Sequence, residues 1–92
     1  VRQMADIQFK IAETIQTQGK IPEAIEEYLK VTYLYSQNQA IAVKSLLRVA
    51  AIYEDKENFK EAVNIYKKII SLNVEEAKYA KERIDWIEAH IK

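Results

Sequence analysis

The amino-acid sequence predicts an all-α fold, a right-handed α-solenoid of antiparallel helix pairs, and three observations support this prediction. The chain has 92 residues with a single glycine and a single proline, so little in it interrupts a helix. Its apolar residues recur at intervals of three and four, which is the spacing of one face of a helix. Its first half also nearly recurs in its second half, which indicates stacked units.

The internal repeat defines the expected domain organisation. When the sequence is aligned with itself after a shift of one repeat length, Ala12 aligns with Ala50, Ala24 with Ala62 and Tyr28 with Tyr66. A fixed period of roughly 20 to 50 residues is typical of repeats that bury their apolar faces against their neighbours. We therefore expect a single domain over residues 1–92, with two repeats and a C-terminal capping helix. The repeats span about 5–38 and about 43–74, and the capping helix spans about 75–91.

Turn signals place five helices along the chain. Gly19 ends the first helix, because glycine accepts the left-handed conformation that closes a helix C-terminus. Pro22 lies in the first turn of the second helix, where a missing N–H costs nothing. In the second repeat Glu57 takes the place of Gly19, which should cost some stability, and Asn58 can adopt the left-handed shape. The helices are expected at about 3–18, 22–36, 39–55, 59–71 and 75–91.

The first and last helices differ from the third. Gln8 and Thr14 of helix 1 correspond to Leu46 and Ile52 of helix 3, so helix 1 should meet water where helix 3 is buried. We infer that little or no repeat precedes helix 1, although a chain that starts at Val1 suggests an excised piece or a processed form. Helix 5 has one apolar stripe and is otherwise charged, as expected of a solubilising cap. The stripe comprises Ala77, Ala80, Ile84, Ile87 and Ile91.

Composition argues against several kinds of partner. Fourteen basic residues balance fourteen acidic ones, so no net positive charge favours nucleic acid or an anionic membrane surface. The chain has no cysteine, which excludes disulfides and thiolate metal sites. It also has no apolar run of the roughly 20 residues that cross a bilayer, so we expect no membrane insertion.

The sequence offers little that could support catalysis, and we predict no enzyme, no metal and no cofactor. His90 is the only histidine, and we interpret it as a surface residue near a helix end. One glycine cannot form a phosphate-binding loop. Adjacent acidic residues, such as Glu26 and Glu27, point apart on a helix and are expected to be solvated.

Two segments carry a resemblance to a known family. They are FKIAETIQTQGKIPEAIEEYLKV and LLRVAAIYEDKENFKEAVNIYKKII. Small residues in both helices, a glycine in the turn and an aromatic in the second helix resemble the tetratricopeptide repeat. The usual terminal proline is absent, and the period exceeds the family's usual length. That longer spacing is similar to repeats of bacterial envelope proteins, such as the Tol–Pal coordinator and barrel-assembly lipoproteins. The compartment stays open between the bacterial envelope and the cytoplasm.

The resemblance implies a non-catalytic scaffold that binds a protein or peptide on the concave face of the array. In this family the concave face comes mainly from the first helix of each pair. Phe9 and Leu47 would form its floor, although ordinary repeat packing is the simpler interpretation of both. Lys44 and Arg48 resemble part of a carboxylate clamp, but Glu13 would repel a carboxylate, and we expect no clamp. The expected face comprises Phe9, Lys10, Glu13, Gln16, Lys44, Leu47, Arg48, Ala51, Glu54 and Asp55.

A second stripe on helix 5 supports an alternative function. Tyr79, Arg83 and Trp86 could dock another subunit, since exposed aromatic residues often anchor interfaces. The simpler interpretation places the Trp86 ring over the neighbouring helix. If the stripe or an end of the array pairs with a copy of the chain, the protein is a structural self-association module and a homo-oligomer.

Overall fold

The computed structural model describes residues 2–91 and, from residue 3, their side chains. Within this range the protein is all-α, with five helices and no strand. The third and fourth helices have the predicted bounds, the second ends two residues earlier, and the fifth starts two residues later. The helices are α1 (Arg2–Thr17), α2 (Ile21–Leu34), α3 (Gln39–Asp55), α4 (Phe59–Ser71) and α5 (Ala77–His90). None of these described helices is long and apolar enough to cross a membrane.

The turns after α1 and α3 have the same hydrogen-bonding pattern. Gly19 has φ +83°, and its N–H donates to the carbonyl of Gln16 at 2.9 Å. Glu57, the equivalent residue of the second repeat, has φ 59° and donates in the same way to Glu54 at 2.9 Å. In each turn the next N–H reaches back five residues, which completes a Schellman motif. Glu57 is therefore the left-handed residue of this turn, whereas Asn58, which the sequence offered for that conformation, has φ −90° and does not adopt it.

The chain divides into two compact units, Val1–Val49 and Ala50–Lys92, and the division falls within α3. In the first unit α1 packs against α2. Ala12 and Ala24 are fully buried, as expected of small residues that let two helices approach closely. The core of this unit comprises Ala5, Phe9, Ala12, Ala24, Tyr28, Val31, Ala42, Val43, Leu46 and Val49. A single domain over residues 1–92 stays a prediction.

In the second unit α4 packs against α5. The predicted stripe of α5 is largely buried, except that Ile91 follows the end of the helix and is exposed. Asn73 has φ 57° and follows the end of α4, where asparagine accepts the left-handed conformation. The core of this unit comprises Ala50, Ile52, Ala62, Tyr66, Ile69, Ala80, Ile84 and Ile87.

Candidate functional site

Phe9 lies under a pair of cations in the first unit. Its ring packs against the Tyr28 ring at 5.4 Å between centroids, tilted by 60°. Lys44 Nζ lies 4.8 Å and the Arg48 guanidinium 5.0 Å from the Phe9 centroid, both within range of a cation–π interaction. Phe9 is therefore only 3% exposed. The structure favours the packing interpretation of Phe9, because the ring is covered rather than open to a ligand. Leu47 is half-buried.

Arg48 connects all three helices of the first unit. Its Nη1 lies 2.9 Å from Glu13 Oε2 of α1 and donates to the Tyr28 hydroxyl of α2 at 3.2 Å. The Tyr28 hydroxyl in turn donates to Gln16 Oε1 at 2.5 Å. Burial raises the pKa of Tyr28, and Arg48 offsets part of that rise. We call Gln16, Tyr28 and Arg48, together with Glu13, the Tyr28 cluster.

The exposed side of this cluster is cationic. Lys10 is highly exposed, with its Nζ 3.7 Å from Glu13, and Lys44 is also exposed. Glu13 is the only acid in the four-residue Tyr28 cluster and forms its closest ion pair with Arg48. The negative charge of Glu13 therefore compensates the positive charge of Arg48, whereas Lys10 and Lys44 place positive charge at the surface. We call Lys10, Lys44 and Arg48 the basic face.

Glu54 forms a second network within the second unit. Tyr66 donates a hydrogen bond to Glu54 Oε2 at 2.5 Å. Arg83 donates to both carboxylate oxygens, from Nε at 3.1 Å and from Nη2. The hydrogen bond from Arg83 holds the pKa of Glu54 below its usual range, and burial together with Glu54 raises the pKa of Tyr66. We call these three residues the Tyr66 cluster.

The residues expected on the concave face thus have different environments. Glu54 is committed to Tyr66 and Arg83, and its side chain is mostly covered. Ala51 and Asp55, also in the second unit, are exposed. In the first unit the structure brings together Phe9, Lys10, Glu13, Gln16, Lys44 and Arg48.

The expected docking stripe on α5 remains partly open. Tyr79 meets the edge of the Tyr66 ring at 6.3 Å and is 50% exposed. Trp86 is 44% exposed and stacks on His90 at 4.2 Å, while Arg83 lies 4.9 Å above the Trp86 ring. These contacts of Trp86 are with residues of its own helix. Arg83 belongs both to this stripe and to the Tyr66 cluster.

Sequence reasoning missed the role of the two tyrosine hydroxyls. The repeat pattern indicates an aromatic residue at Tyr28 and Tyr66 but not the contacts of its hydroxyl, and each hydroxyl links three helices through its partners. The signal was present in the repeat, because Gln16 and Glu54 are equivalent positions and each precedes its tyrosine by the same distance. A polar residue with hydrogen-bonding capacity at the same offset in both copies indicates a shared contact.

The described residues contain no group of three or more His, Cys, Asp or Glu that could hold a metal ion. His90 is exposed, as expected, with its Nδ1 2.7 Å from the carbonyl oxygen of Trp86.

Comparison with known proteins identifies one family. The model of SNAP, the soluble NSF attachment protein, matches residues 1–82. No curated protein matches the chain, and no solved structure does. The family match supports a helical repeat that serves as a protein-interaction scaffold. It gives no support to the bacterial envelope type, which stays a prediction.

Proposed function

Since the chain belongs to the soluble NSF attachment protein family, we propose that it is a non-catalytic scaffold that binds a protein partner. The observation that carries this proposal is the family match over residues 1–82, because it covers most of the chain. The family name describes attachment to NSF, and NSF is therefore the first candidate partner. Peptide binding by the first helices, as in tetratricopeptide repeats, is the more specific form of the proposal.

Within the first unit, we assign contact with the protein partner to the basic face. Lys44 and Lys10 are exposed, and Arg48 is held in a fixed position by Glu13 and Tyr28. An arginine whose rotamer is already fixed loses little entropy when a partner binds. Cations at such a surface favour acidic side chains or a carboxylate on the partner. Ala51, Glu54 and Asp55 of the second unit stay a prediction as binding residues.

The first experiment measures NSF binding to the chain by biolayer interferometry at two ionic strengths. Lys44→Glu should weaken binding by about tenfold and reduce its salt dependence, because it reverses a surface charge. Lys81→Glu is the matched control, since Lys81 is an exposed lysine of α5 outside the proposed surface. The control should bind like the unmodified chain.

The outcomes test the identity of the partner and the location of the binding surface separately. If NSF binds and both variants bind equally, the basic face is the wrong surface. If NSF does not bind, NSF is the wrong partner. Phe9→Ser is unsuitable as a test because Phe9 is buried, and its loss would destabilise the unit. Leu47→Ser remains suitable for testing the expected apolar floor.

A second candidate function is self-association through Tyr79, Arg83 and Trp86. It is favoured by the exposure of two large aromatic side chains on one helix, Tyr79 and Trp86. Sedimentation velocity over a range of concentrations tests it. Dimers that form with rising concentration and disappear in Trp86→Ala would support this function, and a monomer at all concentrations would refute it.

A further inference from the structure

The helix α1 has a second apolar face that is largely exposed. We call Met4, Ile7, Ile11 and Ile15 the outer stripe, because their spacing places them along one side of the helix. Met4 and Ile7 are each 53% exposed and Ile11 is 43% exposed. The stripe borders a groove of about 380 Å³ lined by Asp6, Ile7, Lys10, Ile11, Thr14 and Ile15. Large apolar side chains in such a row indicate a contact surface.

The positions of Met4 and Ile11 are buried in the other two helices of this type, whereas the position of Ile15 is held by the half-buried Tyr53 and the exposed Ile91. In α3 the residues one repeat after Met4, Ile7 and Ile11 are all buried, namely Ala42, Ser45 and Val49. In α5 the residues two repeats after Met4 and Ile11 are Ala80 and Ile87, and both are fully buried. Since α5 packs against α4, the chain itself contains a helix that covers this face.

The side of α5 that has no neighbour among the described residues provides a comparison. Ala5, Phe9 and Ala12 form the buried side of α1, which packs against α2. The residues two repeats later in α5 are Lys81, Asp85 and Glu88, and all three are exposed. The side of α5 that no described helix covers thus carries charged residues. The outer stripe is also largely exposed, but its side chains are apolar. Thr14 on the same helix is exposed, as expected, and Gln8 is half-buried.

We propose that the outer stripe of α1 binds an amphipathic helix that packs on it as α4 packs on α5. The partner helix has the chemistry of α4, whose buried residues Ala62, Tyr66 and Ile69 form a stripe with one small, one aromatic and one β-branched residue. It belongs to a repeat of the same kind. Asp6 and Lys10 border the groove, so charged residues of opposite sign flank the apolar stripe of the partner.

A fusion protein tests this inference with a known probe. Residues 39–76 of this chain, which contain α3 and α4, are added directly before Val1. The added copy of α4 then has the same sequence distance to Met4 that α4 has to Ala80. Linking the probe raises its effective concentration, so a weak contact becomes measurable. Hydrogen exchange of the α1 amides is measured in the unmodified chain and in the fusion.

The protection of the α1 amides should rise by about tenfold in the fusion, because a covered helix opens less often. The same fusion with Ile11→Lys should lose this gain, since a charge would be buried in the contact. Thr17→Lys is the matched control, because Thr17 is exposed on α1 outside the outer stripe. Equal protection in the fusion with and without Ile11→Lys would overturn the proposal.

Sedimentation velocity of the unmodified chain decides between the proposed helix and a second copy. A monomer that remains a monomer in Ile11→Lys supports the proposal. A dimer that Ile11→Lys dissociates, while Trp86→Ala does not, would assign the outer stripe to a second copy and overturn it. Neither experiment contains NSF, so neither result depends on whether NSF binds to the basic face.

Discussion

Tyr28 and Tyr66 occupy the same position in the two repeats, but their hydroxyl groups have different partners. Tyr28 donates to the neutral amide of Gln16 and accepts from Arg48. Tyr66 donates to the carboxylate of Glu54, which is also bound by Arg83. The first cluster depends on a neutral hydrogen bond beside an exposed ion pair. The second depends on a charge-assisted bond beside a more covered ion pair.

The arginines of the two clusters come from different positions of the repeat. The position of Arg83 is held by Ser45 in α3, and the position of Arg48 is held by Trp86 in α5. Ser45 is fully buried, and its hydroxyl has no hydrogen-bond partner among the described residues. Moving the arginine by about one turn of helix changes its role. Arg48 stays half-exposed on the basic face, whereas Arg83 stabilises the interior of its unit.

The largest expected effect comes from removing Arg83, and the same change at Arg48 gives the contrast between the two clusters. Arg83→Met should lower the free energy of unfolding by about 2 kcal/mol, because it leaves a mostly covered Glu54 carboxylate without its cation. Arg48→Met should cost about 0.5 kcal/mol, since Glu13 is more exposed and remains near Lys10. Urea unfolding followed by far-UV circular dichroism measures both values. A larger cost for Arg48→Met would contradict the assignment of the two roles.

The tyrosine hydroxyls should differ in the same direction. Tyr66→Phe should cost about 1.5 kcal/mol, because it removes a hydrogen bond to a charged acceptor. Tyr28→Phe should cost about 1 kcal/mol, because it removes a neutral bond to Gln16 and one donor contact from Arg48. The same unfolding measurement applies. In the Glu54→Gln background, Tyr66→Phe should cost no more free energy of unfolding than Tyr28→Phe costs in the unmodified chain. A double-mutant cycle measures this difference.

The two turns give a smaller contrast. Glu57→Gly should stabilise the chain by about 0.7 kcal/mol, because glycine adopts φ 59° without the strain of a side chain. Gly19→Ala should destabilise it by about 1 kcal/mol through backbone strain alone, since an added Cβ meets no atom within 4 Å. Asn58→Gly is the control, because φ at Asn58 is negative and glycine brings no benefit there. Stabilisation by Asn58→Gly equal to that by Glu57→Gly would contradict the turn assignment.

The pH dependence of stability gives the smallest signal and separates the clusters without changing their packing. The pKa of Glu54 is lowered in the folded state, chiefly by the hydrogen bond from Arg83, so the unfolded chain binds the proton more readily. The stabilisation is therefore present above the ordinary pKa of about 4.3 and is lost as the pH falls through the folded pKa. The slope for one group stays below about 1.4 kcal/mol per pH unit.

Glu54→Gln should flatten this acid limb, and urea titrations between neutral and acid pH measure it. Some dependence should remain, because the hydrogen bond from Lys30 also lowers the pKa of Glu27. Gln16→Glu, which places a carboxylate beside Tyr28, is the reciprocal variant. An acid limb unchanged by Glu54→Gln would show that the Tyr66 cluster does not contribute to it.

Most of the helical architecture was predictable because its signals are local. Gly19, Pro22 and the apolar spacing placed the helices to within two residues, and the repeat aligned Glu57 with Gly19, where Glu57 also has a positive φ. The candidate surface was less predictable. Phe9 belongs to the expected face by its register, but its exposure depends on whether Lys44 and Arg48 extend over the ring or away from it. Long flexible side chains have many rotamers, and only their neighbours select one.

The sequence by itself determined the helices, their order, the period of the repeat and the small residues at the helix crossings. These properties depend on backbone preference and on apolar spacing, which act over a few residues. Only the tertiary structure decided the partners of Glu54 and Arg48, the covering of Phe9 and the exposure of the outer stripe. Those outcomes join side chains from different helices, far apart in the sequence, or depend on whether a neighbouring helix is present. A local pattern can place a residue on a face, but the contacts of that face depend on what packs against it.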